Sequence, residues 1–176
     1  MQVRNRRLQG GLHLLLVIVT AAGCTVKEPG NVTSSEAVRE VLNGKRSVAN
    51  AAWWGFDETD ATETLQAAIN SGAAKVIIPD MGREWIVRPI NLAGTQELVF
   101  EKGAVVTAKT DEFKGRGESL LTGSGIANLT ISGYGAVLRM HKHDYQDTTR
   151  YAPAEWRHTL CLLSCTNVKV SGLTLP

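Results

Sequence analysis

The chain has 176 residues, and its 19 lysines and arginines nearly balance 17 aspartates and glutamates, for a net charge of +2. The basic residues are scattered, so the sequence lacks the charged stripe that nucleic-acid binding needs. Its cysteines, Cys24, Cys161 and Cys165, do not have the spacing of a metal site.

From the amino terminus, Arg4, Arg6 and Arg7 precede an apolar run over residues 12–19, then Ala21, Ala22, Gly23 and Cys24. This is the layout of a secretory signal, and the run is too short to span a bilayer permanently. The small residues before the cysteine resemble a bacterial lipobox, with Ala21 standing where leucine is usual. That resemblance implies removal of residues 1–23 and acylation of Cys24, hence an exported protein anchored to a membrane of the bacterial cell envelope. An ordinary cleaved signal with Cys24 incidental is the competing reading. Residues 24–50 are mostly polar, with Pro29-Gly30 and Thr33-Ser34-Ser35, and read as a linker, although Glu36 to Leu42 suits a short helix.

The folded part is expected over 51–176. Trp53, Trp54 and Phe56 crowd its start and suit packing. A helix follows, in which Asp60 is a good N-cap, Glu63 completes a capping box, and Leu65, Ala68 and Ile69 share one apolar face before Gly72 ends it. From Lys75 the pattern changes to brief strands at Val76-Ile77-Ile78-Pro79, Trp85-Ile86-Val87, Ile90-Asn91-Leu92 and Leu98-Val99-Phe100-Glu101. The first and last of these are 22 residues apart, a period that fits three short strands per turn.

Farther on, Asn128-Leu129-Thr130-Ile131-Ser132-Gly133 and Asn167-Val168-Lys169-Val170-Ser171-Gly172 match position for position. Their apolar residues alternate, giving each strand one buried and one wet face. Segments that repeat this way are rungs of an all-β solenoid, where neighbours cover each other's apolar faces. Spacings of 31 residues from Leu98 to Leu129 and 39 from Leu129 to Val168 place outward insertions at 110–119 and 140–158. Asn128 and Asn167 suit a stacked hydrogen-bonding ladder. The sequence reaches Pro176 in or just after a strand, so the solenoid is expected to be incomplete at that end. Cys161 and Cys165 flank a strand and read as reduced thiols or small core fillers, since a continuous strand separates them too far for a disulfide.

The segment Trp54-Gly55-Phe56-Asp57-Glu58-Thr59-Asp60-Ala61-Thr62-Glu63-Thr64-Leu65-Gln66-Ala67-Ala68-Ile69 resembles the opening signature of the pectate lyase superfamily of right-handed β-helix proteins. That signature is a Gly-Asp-Gly-like turn, a Thr-Asp-x-Thr cap and a Leu-Gln-x-Ala-Ile helix; here the turn is altered to Gly55-Phe56-Asp57. The run from Trp156 to Leu175 is similar to rungs of bacterial glycosidase-like members. The resemblance implies a right-handed parallel β-helix with an N-terminal capping helix, and a carbohydrate-active protein with polysaccharide as its partner. A polysaccharide lyase and a glycoside hydrolase fit equally; a lyase would bring in a cation such as Ca2+, and no other cofactor is implied. Catalytic residues of such proteins sit on central rungs, so none is carried onto this chain. A non-catalytic glycan-binding or scaffold module, or an inactive fragment, is the other class of reading.

Chemistry-bearing residues gather in the second insertion. Tyr145, Tyr151 and Trp156 offer aromatic faces, and Arg150 and Arg157 offer guanidinium forks, groups that suit stacking on sugar rings and pairing with uronate carboxylates. The plainer reading has Trp156 anchoring the loop and Arg157 pairing with Glu155 or Asp144. His141 and His143 would share a face of an extended strand and could hold a metal with Asp144 or Asp147. Asp144 and Asp147 could instead form an acid–base pair. For the histidines solvation in a polar loop is the plainer reading, and for Asp144 and Asp147 it is hydrogen bonding inside the loop.

Overall fold

The computed structural model describes residues 34–153 and 156–176. The signal segment, Cys24 and the first part of the expected linker lie outside the described residues. Helix α1 (Ser34–Leu42) and strand β1 (Val48–Asn50) come first, then a 3-10 turn (Ala51–Trp54) and helix α2 (Thr62–Ile69). The strands that follow are β2 (Lys75–Ile78), β3 (Trp85–Val87), β4 (Ile90–Asn91), β5 (Gln96–Phe100), β6 (Val105–Ala108), β7 (Leu121–Ser124), β8 (Ala127–Ser132), β9 (Val137–Arg139), β10 (Leu160–Leu163) and β11 (Thr166–Ser171). Residues 34–50, read above as linker, are therefore helix and strand over much of their length: β1 pairs with β2 through Val48 and Lys75.

Every strand pairing is parallel. The first sheet has the order β1-β2-β5-β8-β11, the second β3-β6-β9 and the third β10-β7-β4. From β2 the chain visits first, second and third sheets in turn, three times over, and returns to the first at β11. The result is a mostly β, all-parallel, β-helix-like fold.

Alternation along each strand sends every second side chain inward, and parallel register sets those side chains one above another. Val76, Leu98 and Ile131 are one such column, each with 0% exposure. Trp85, Val106 and Leu138 form a second, and Ile90 and Leu121 a third with half-buried Leu160. Each fully buried aliphatic side chain contributes about 1.5–3 kcal/mol. Helix α2 adds Leu65, Ala68 and Ile69 to the same core.

The register differs by two residues from the spacing read in the sequence. Leu98 pairs with Ile131, while Leu129 lies opposite Gln96. A slip of two preserves which side chains face inward, so the apolar pattern could not distinguish the two alignments. Gln96 is inward for a reason of its own: its Nε2 donates to the carbonyls of Ile69 (3.0 Å) and Ala73 (2.9 Å), at and beyond the end of α2.

The start of α2 also departs from the expected capping box. Asp60 Oδ1 accepts from the backbone N–H (3.1 Å) and hydroxyl of Thr62. Glu63 does not turn back on the cap; it pairs with Arg88 Nη2 at 2.7 Å. The other Asp60 oxygen takes Lys109 Nζ at 2.7 Å and Arg88 Nε at 3.2 Å, tying α2 to the ends of β3 and β6. Burial of this carboxylate works to raise its pKa. The hydrogen bonds from Lys109 and Thr62 and the charge of Arg88 outweigh that and hold it well below the usual carboxylate range.

One corner repeats its backbone. Thr95, just before β5, and Asn128 and Asn167, the second residues of β8 and β11, stand in equivalent places, with φ of 53°, 57° and 51°. Left-handed backbone disfavours most L-residues, and asparagine is among the better tolerated. Asn167 Nδ2 donates to Asn128 Oδ1 at 2.6 Å, the ladder expected from the paired motifs.

Candidate functional site

The connections from the second sheet to the third grow along the chain. Two residues join β3 to β4, whereas 109–120 join β6 to β7 and 140–159 join β9 to β10. The two long connections bind each other. Arg150 pairs with Asp111, and the Tyr151 hydroxyl accepts the Asp111 N–H at 3.2 Å. Ala152 N–H donates to Lys114 O at 3.0 Å, and Arg157 Nη2 donates to the carbonyls of Gly115 (2.8 Å) and Ala152 (3.1 Å). Phe113 is the buried anchor of the first connection and Tyr151, 1% exposed, that of the second.

Aromatic stacking stiffens the assembly. Tyr145 and Tyr151 meet edge to face, with centroids 5.1 Å apart and planes at 74°. The Arg157 guanidinium sits 4.6 Å from the Tyr145 ring centre and 5.8 Å from that of Tyr151. Such cation–ring contacts contribute about 0.5–2 kcal/mol, more as water is excluded. Burial pushes the Tyr145 phenol above its ordinary pKa. The hydrogen bond from Arg150 lowers that of Asp111, despite some desolvation.

This geometry separates the five candidate sugar-contacting residues. Tyr151 is enclosed, and Arg157 is held by two carbonyls and two rings. Tyr145 is half-buried, and Arg150 is exposed but paired with Asp111. Trp156 stands 68% exposed, edge-on to His158 with centroids 6.5 Å apart. Beside it lies a cleft of about 490 Å3 whose walls include Gly117, His158, Leu160, Cys161 and Leu162. An exposed indole next to an apolar cleft is the arrangement on which the apolar face of a pyranose stacks.

Of the other polar candidates, His141, His143 and Asp144 line a separate cleft of about 340 Å3, with Arg139 and Lys142 also on its walls. His141 Nε2 lies 2.7 Å from Ala108 O, and Arg139 pairs with Glu84. Asp147 is turned into its own loop, where Oδ1 accepts from the Thr149 hydroxyl (2.6 Å) and N–H (3.0 Å). Among the described residues no group of three or more His, Cys, Asp or Glu side chains is placed to hold a metal ion. Cys161 and Cys165 are free, half-buried thiols, and Cys165 Sγ donates to Gly123 O at 3.4 Å.

Sequence reading missed two charged networks. Asp60, Arg88 and Lys109 form one; Glu84, Thr107 and Arg139 form the other, with Glu84 Oε2 accepting from Thr107 Oγ1 at 2.8 Å. Their members are far apart in sequence and meet only through the register of β3, β6 and β9, which a two-residue ambiguity hides.

No protein-family model matches this chain, and no curated protein matches it either. Among solved structures it is similar to a putative glycosyl hydrolase from Parabacteroides merdae, with a TM-score of 0.56 and 21% identity. The match covers 73% of this chain, which spans 64% of that protein's length. At that identity the likeness is one of fold, and it supports the mostly β, parallel architecture described above.

Proposed function

We propose that the chain is part of an exported carbohydrate-active protein, anchored through acylated Cys24, whose fold is a right-handed parallel β-helix of the pectate lyase type with α2 covering its first turn. The right hand is supported by the strong preference of parallel crossover connections. The covering role is supported by the apolar face that α2 buries against the strand columns. Glycoside hydrolysis is favoured over lyase chemistry because the solved structure of similar fold is described as a glycosyl hydrolase. The observation that carries the carbohydrate reading is the exposed Trp156, edge-on to His158 beside an apolar cleft and mounted on a loop fixed by Arg157, Tyr145 and Tyr151. Stacking platforms work when the ring is held in advance, since the ordering cost is then met by the fold.

The test is titration of the full chain with neutral and uronate-containing oligosaccharides, followed by tryptophan fluorescence and NMR. Binding that Trp156→Ala abolishes while the melting temperature holds supports the reading; indifference to every sugar overturns it. Reducing-end release from the sugars that bind would report hydrolysis, and unsaturated product from polygalacturonate would report lyase chemistry. A glycan-binding module without turnover is the second reading, and the same titration with a silent turnover assay would favour it.

A further inference from the structure

The corner between α1 and β1 is built in a way that packing alone does not explain. Leu42 is 60% exposed and Val48 38% exposed, at either side of a tight turn whose Lys45 and Arg46 N–H groups both donate to Glu40 O, at 2.8 and 3.2 Å. Arg46 is fixed there by its Nε and Nη2 bonds to Glu40 Oε2, at 2.9 and 2.6 Å, and lies 5.4 Å from the ring centre of Trp53. Lys45 is exposed and has no acidic partner among the described residues. Two protruding aliphatic side chains, an unpaired ammonium and a guanidinium over a half-buried indole make the combination that sits at a lipid–water boundary.

The position of this corner supplies the occupant. Cys24 lies ten residues before Ser34, and ten residues reach at most about 35 Å however they are arranged. A lipid chain on Cys24 would hold Ser34 within that distance of the headgroups and the corner, one helix of about 13 Å farther on, within about 48 Å, at an effective concentration on the order of millimolar. Contacts too weak to recruit a free protein then suffice to orient a tethered one. We propose that the α1–β1 corner, through Leu42, Lys45 and Val48, rests on an anionic phospholipid surface and so sets the orientation of the domain relative to the membrane. This rests on the reading of Cys24 as the lipid-attachment residue, and on no assumption about the sugar site.

The experiment uses the full acylated chain in detergent, in phosphatidylglycerol–phosphatidylethanolamine vesicles and in phosphatidylcholine vesicles, with amide hydrogen exchange resolved by peptide. Exchange across 42–48 is expected to slow by about fivefold in the anionic vesicles, with 166–171 unchanged. The triple variant Leu42→Ser, Lys45→Glu, Val48→Thr should lose that protection while staying vesicle-bound and melting as the parent does. Equal rates in detergent and anionic vesicles, with the acylated Cys24 peptide confirmed by mass, would overturn the proposal and leave the anchor reading intact. A Cys24 peptide of unmodified mass would sink both. Equal protection in both vesicle types would overturn the anionic preference.

Discussion

Replacing Asp60 with asparagine keeps its shape and removes the charge that joins α2 to the strands. The carboxylate accepts charged hydrogen bonds from Lys109 and Arg88, whose side chains are 34% and 38% exposed against 23% for Asp60. A charged hydrogen bond contributes about 1.5–3 kcal/mol when enclosed, and exposed pairs about 0–1 kcal/mol. This half-enclosed pair of contacts should therefore contribute about 1–2 kcal/mol at neutral pH, and Asp60→Ala should cost about 1 kcal/mol more through the lost Thr62 cap. In urea the Asp60→Asn midpoint should fall by about 0.5–1 M with an unchanged slope. Because folding lowers the pKa of Asp60, its contribution is complete above its unfolded pKa, near 4, and declines as pH falls toward the folded value. The gap between wild type and Asp60→Asn should hold from pH 7 to 5 and narrow steadily below about pH 4. A gap under about 0.5 kcal/mol at pH 7, or one that survives undiminished at pH 2.5, would refute the electrostatic account.

Three further outcomes follow from other sites. Asn128→Ala should destabilise by about 1–2 kcal/mol, and Asn128→Gly by less than half of that, because φ of 57° suits glycine and disfavours alanine; chemical denaturation of both decides it. Gly172 has φ of 75°, and a Cβ there would lie 2.7 Å from the ring of Tyr134, itself 72% exposed and able to swing aside. Gly172→Ala should thus cost about 1–2 kcal/mol with or without Tyr134→Ala, and a cost that disappears in the double variant would place it on the ring instead. Arg157→Ala removes two carbonyl contacts and both ring stacks. It should speed exchange of the Ala152 amide by about tenfold or more while the amides of β5 and β8 keep their protection, and uniform acceleration would count against a local role.

The alternation in 98–100, 129–131 and 168–170 made the strands and their inward faces legible, and the 22-residue spacing made the three-sheet circuit legible. Register was not, because Leu129 and Ile131 are equivalent to a pattern of period two. The reach of the fold back to Ser34 was hidden by polar residues on the exposed side of α1, whose buried contacts are Ala37 and Val41. Within the second long connection, the same aromatic and basic types serve opposite ends. Tyr151 fills the wall and Trp156 faces solvent, and only the docking of 140–159 on 109–120 decides which does which. Gln96 shows the converse case: a polar residue at an inward position is unreadable until the end of α2 is placed beside it.

Both long connections leave from the same corner of the circuit, while the entry to β5, β8 and β11 keeps its bent backbone at Thr95, Asn128 and Asn167. Lengthening a flexible loop adds only about 0.6 kcal/mol per doubling. The scaffold is thus divided into a fixed hinge that resets the phase of every lap and a splice point where peptide can be added cheaply. Foreign segments grafted between β6 and β7 or between β9 and β10 would change that surface without disturbing how the laps align.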